Sequence, residues 1–77
     1  MRQKPELRIA VAPNDMGTVV RFFEQTAYEV GELAPDALAL TAPTALDERL
    51  ARREVELYVR VLERLHPEVD VSIERIR

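Results

Sequence analysis

The sequence predicts a small α+β domain of order β-α-α-β, with a two-stranded antiparallel sheet packed on a helical hairpin. Three observations carry this. Residues 7–12 and 69–74 alternate apolar and polar side chains, as half-buried strands do. Between them lie two longer stretches with apolar residues at helical spacing. And clean alternation leaves each strand one lightly covered face, which is the habit of antiparallel strands.

In the first strand Leu7, Ile9 and Val11 share a face, and Pro13-Asn14-Asp15 stops it. Asn14 or Asp15 is placed to cap the following helix. That helix is expected over residues 16–33, with Met16, Val19, Val20, Phe23, Ala27 and Val30 as its inner stripe. Tyr28 falls on its polar side, and Gly31 and Pro35 mark its end. Residues 35–43 read as a compact connection whose leucines close the bottom of the core. The alternative takes Ala37 to Leu40 as a short middle strand and gives β-α-β-α-β.

Thr44 opens the second helix, with Asp47 and Glu48 in its first turn, and the helix ends at His66-Pro67. In its second half Val55, Leu57, Tyr58, Val59, Val61, Leu62 and Leu65 cover an arc of about 200°. A helix lying on a sheet needs a stripe of little more than about 100°. This helix should therefore be contacted on two sides. In the final strand Val69, Val71 and Ile73 share a face. Pairing Ile9 with Ile73 and Val11 with Val71 aligns β-branched residues across the ladder and sets Arg8 opposite Glu74.

Residues 1–77 are one domain, and a chain this short hides only about 60% of its unfolded surface. With no cysteine and one histidine, disulfides, thiolate chemistry and multi-histidine metal sites are excluded. Self-association is the remaining way to bury more, so a homodimer is expected, through strand edges or the second helix. The net charge of −3 makes nucleic acid an improbable partner. No apolar run is long enough to span a bilayer, so a cytoplasmic, membrane-free protein is expected.

No residue pattern marks an enzyme or a cofactor site. The Pro13–Thr18 junction lacks the glycines and lysine of a phosphate loop and reads as a capping turn. Asp47 and Glu54 stack on one side of the second helix without a convergent partner set. His66 reads as a helix C-terminal cap. The function expected is non-enzymatic: a small homodimerising adaptor or regulatory subunit that binds another protein. Its candidate contact residues are Tyr28, Glu54, Leu57, Tyr58, Val61 and Leu62, with Arg8, Arg75 and Arg77 in a terminal basic patch that Arg2 and Lys4 extend. Two alternatives are a nucleic-acid-associated regulator using that patch, and a ligand-binding or enzymatic domain with its site at a dimer interface. The binding argument requires that Val55, Leu57, Tyr58, Val61 and Leu62 are not all enclosed within one subunit.

Overall fold

The computed structural model describes residues 4–44 and 47–74. Strand β1 (Glu6–Val11) leads through a single 3₁₀ turn (Pro13–Asp15) into helix α1 (Met16–Glu24). The hairpin of β2 (Glu29–Ala34) and β3 (Ala37–Thr41) follows, then the long helix α2 (Glu48–Leu65) and the short strand β4 (Val71–Ile73). All strand pairs are antiparallel, in the order β2-β3-β1-β4. This is the split β-α-β-β-α-β arrangement. The expected two-stranded sheet is thus corrected to four strands. The alternative placed the middle strand at Ala37–Leu40, where β3 lies, but lacked β2.

The correction has a local cause. Helix α1 stops nine residues short of the expected end because Thr26 terminates it. The Thr26 hydroxyl donates to the Phe23 carbonyl at 2.6 Å and accepts from the Tyr28 N–H at 3.2 Å, while the Thr26 N–H bonds the same carbonyl at 3.0 Å. These bonds satisfy groups that a continuing helix would have used. The chain emerges extended, and Val30, read as part of a helical stripe, pairs with Leu40 in the ladder. Pro35-Asp36 closes the hairpin. No described residue has positive φ, so the turn is not of the primed kind usual in two-residue hairpins. The register shifts between Glu32 and Ala34, leaving Leu33 as the extra residue of a bulge.

Pairing of β1 with β4 follows the expected register, Ile9 with Ile73 and Val11 with Val71. The Glu74 N–H donates to the Arg8 carbonyl at 2.9 Å, and the Ala12 N–H to that of Asp70 at 3.0 Å. The expected cap at Asp15 is not made. Its carboxylate instead accepts from the Asp70 N–H at 3.1 Å and so ties the start of α1 to the approach to β4. The N-cap of α2 is Asp47 rather than Thr44, accepting from the Arg49 N–H at 2.8 Å. Asp47→Ala should therefore lower stability by about 1 kcal/mol and Asp47→Asn by much less. Urea unfolding of the two variants checks this.

Both helices pack on the sheet face that carries Leu7, Ile9, Val11, Leu38, Leu40 and Val71, with Val19, Phe23, Val55 and Leu62 as their largest contributions. The other face bears Glu6, Arg8 and Ala10 of β1 and carries no helix. Helix α1 has 9 residues and α2 has 18, about 14 Å against 27 Å of axis. The short helix cannot cover the flank of the long one.

Candidate functional site

Helix α2 turns a buried stripe of Ala51, Val55, Val59 and Leu62 toward the sheet. Beside it runs a second apolar row that the rest of the subunit leaves open. Leu50, Leu57, Val61 and Leu65 are 58%, 60%, 48% and 63% exposed. At 100° per residue they fall within an arc of about 80°, spread over about 22 Å of helix. Of the residues whose complete enclosure would have removed the binding argument, Val55 and Leu62 are enclosed, Tyr58 is half-buried, and Leu57 and Val61 are open.

The borders of the row differ. On one side stand Arg53, Arg60 and Arg64, all exposed. Among the described residues, none of the three has a carboxylate within 4.0 Å; the ion pair on this helix joins Arg52 to Glu56 at 3.6 Å. On the other side lies Tyr58, and there α1 begins; Glu54 falls within the arc itself, between Leu50 and Leu57 along the axis. The Tyr58 ring meets Phe22, Phe23 and Tyr28 edge-on, with centroids 6.4, 6.1 and 6.1 Å away. At the C-terminal end of the row, Leu65 forms one wall of a surface cavity of about 260 Å³ between the helices, with Phe22, Thr18, Arg21, Gln25 and His66.

Tyr28 is corrected from an exposed contact residue to a buried one, only 4% exposed. With α1 ended at Glu24, its ring passes under the N-terminal half of α2. The hydroxyl donates to Glu54 Oε1 at 2.7 Å and lies 3.4 Å from the Ala51 carbonyl. Burial, and after it the Glu54 carboxylate, raises the Tyr28 pKa well above the ordinary phenol range. Glu54 is thereby occupied within the subunit, and Leu62 is enclosed in the core.

The other sequence candidates do not converge. Asp47 and His66 cap opposite ends of α2, about 28 Å apart along the axis. The His66 ring Nδ1 lies 3.8 Å from a Glu68 carboxylate oxygen, while the His66 backbone N–H caps the helix on the Leu62 carbonyl at 2.8 Å. Lys4 and Arg8 are exposed, and Arg2, Arg75 and Arg77 lie outside the described residues. Ala10 and Ser72 are cross-strand partners between β1 and β4.

Sequence reasoning overlooked Leu50 as the first member of the row. The signal was present: Leu50 and Leu57 are seven apart, hence about 20° apart on the helix, and Arg53 and Arg60 share that spacing, with Arg64 four residues further on. Among the described residues no cluster of acidic, histidine or cysteine side chains could hold a metal, and no helix is long and apolar enough to cross a membrane. Fold and surface thus define a small two-layer α+β domain with an open apolar row on its longer helix. Comparison with family models, with curated proteins and with solved structures gave no match to this chain.

Proposed function

We propose that the protein is a non-enzymatic protein-interaction module whose binding face is the outer row of α2. One observation carries the reading: four large aliphatic side chains, each about half exposed or more, line up on one helical face instead of scattering over the surface. Scattered exposed apolar residues are ordinary, whereas a contiguous patch marks a place of contact. Helices present such faces to grooves or to other helices through residues three, four and seven apart, and here Leu50 and Leu57 are seven apart while Val61 and Leu65 follow at steps of four.

The row makes no contribution to the enclosed core, so its loss should separate binding from folding. Leu57→Asp and Val61→Asp should each change stability by no more than about 0.5 kcal/mol, as exposed substitutions do. A photoreactive benzoylphenylalanine at Leu57 should capture a partner chain in cells, and one at Glu63, on the polar side of the same helix, should not. Capture at 57 should vanish with Val61→Asp. No capture at 57, or equal capture at 63, would defeat the reading.

A further inference from the structure

We infer that the occupant of the row is an amphipathic helix whose apolar seam is bordered by acidic side chains. This deepens the interaction-module reading and rests on it. Three features of the surface converge on that partner.

The first is charge. Arg53, Arg60 and Arg64 form a positive ledge along one side of the row on a chain whose net charge is −3. No carboxylate lies within 4.0 Å of any of them among the described residues. Opposite charges flanking an apolar seam are how helices select partners and orientation. The second is dimension. The open side chains amount to roughly a few hundred Å² of apolar surface. That is short of the approximately 800 Å² per partner of a domain–domain interface, and it suits one helix laid lengthwise. The third is the cavity at the C-terminal end. Its Phe22 and Leu65 walls accept one bulky apolar side chain, and Arg21 and Gln25, which also line it, favour an acidic neighbour to that anchor.

A second copy of this chain fits less well. If the rows of two copies meet antiparallel about a two-fold axis, the same borders face each other, so that Arg53, Arg60 and Arg64 oppose the same three residues. A parallel pairing sets the arginine border against the side that α1 already occupies. A bilayer fits less well too. Interfacial helices carry a predominantly basic polar face, whereas Glu48, Glu54, Glu56 and Glu63 alternate with the arginines of α2.

The probe is a fluorescein-labelled three-heptad peptide with leucine at positions a and d and glutamate at e and g, compared with its lysine counterpart. Like charges at e and g keep either peptide from pairing with itself. In anisotropy titrations of the full chain the glutamate peptide should bind at least tenfold more tightly than the lysine peptide, with the advantage shrinking as salt is raised. Leu57→Asp should weaken binding at least tenfold. The triple variant Arg53→Glu, Arg60→Glu, Arg64→Glu should reverse the preference. Should that variant fail to fold by circular dichroism, the double variant Arg53→Gln, Arg60→Gln should still reduce binding of the glutamate peptide about tenfold. Four results would overturn the inference: equal affinity for both peptides, preference for lysine, binding to neither, or binding to phosphatidylglycerol vesicles in place of both. A dimer in light scattering that Leu57→Asp converts to monomers would overturn it as well. Sequencing the segment captured at position 57 separates this failure from that of the broader reading. A captured segment without an acidic border sinks the partner assignment alone, whereas no capture sinks the module.

Discussion

Replacing Phe23 with alanine is expected to remove about 3–5 kcal/mol of stability and to leave the chain largely unfolded at 25 °C. Phe23 is completely buried, and its ring meets Phe22 at 5.1 Å and Tyr58 at 6.1 Å, both edge-on. It matters more here than in a larger protein for two reasons. Helix α1 has only nine residues, too few to persist alone, and it reaches the core through Met16, Val19 and Phe23. A single core below about 80 residues also seldom supplies more than 3–5 kcal/mol in total. Losing Phe23 therefore removes the anchor of α1 and approaches the whole margin at once. Phe23→Leu, which fills most of the volume, should cost no more than about 1.5 kcal/mol. Thermal and urea melts followed by circular dichroism check both. A cooperative Phe23→Ala transition less than 1 kcal/mol below that of the parent would show that α1 is held by something other than this side chain.

What the sequence revealed of this architecture depended on how local each cause was. The alternation in β1 and β4 reports directly on faces, and the choice of register follows from matching Ile9 with Ile73, so both were readable. The body of α2 was readable too, because its residues favour helix and His66-Pro67 must end it. The border between α1 and β2 was not. The stop at Thr26 is built from one hydroxyl bonding the backbone on both sides, with no glycine or proline to announce it. Val30 meanwhile continues the apolar spacing of Val19, Val20 and Phe23, so a strand residue sat in a helical pattern. The hairpin left one overlooked trace, Pro35-Asp36 between two short runs, a pair with turn chemistry of its own. At the surface, the excess of apolar residues on α2 was legible as an arc too wide for one contact. The cavity beside Leu65 was not, because it exists only once Phe22 of α1 is set against the end of α2.

Tyr28→Phe, which removes a single oxygen, is expected to cost about 1–2 kcal/mol at neutral pH, near the low end for a hydrogen bond to a charged group because the Glu54 carboxylate stays in contact with solvent. The same substitution should change the response to alkali. Burial and the Glu54 carboxylate both disfavour the phenolate, so the folded pKa is raised above the unfolded value of about 10. The stabilisation is then complete below about pH 10 and is lost as the pH climbs from there toward the folded value. Through that interval the unfolded chain has released a proton that the folded chain retains, and stability falls by up to about 1.4 kcal/mol per pH unit. The comparison isolates the Tyr28 hydroxyl, because the second tyrosine, Tyr58, and the one lysine, Lys4, are common to both chains and arginine does not titrate in this range. Urea unfolding between pH 9 and 11 should therefore show a steep loss in the parent and a shallower one in Tyr28→Phe. Parallel slopes would mean that the hydroxyl is not held as its 2.7 Å contact indicates. The consequence reaches the open row, because Tyr28 supports the half of α2 that α1 is too short to reach, and Leu50 lies on that half. Loosening this support should raise amide exchange from Glu48 to Glu54 before it affects the segment around Leu62, whose side chain is fully enclosed.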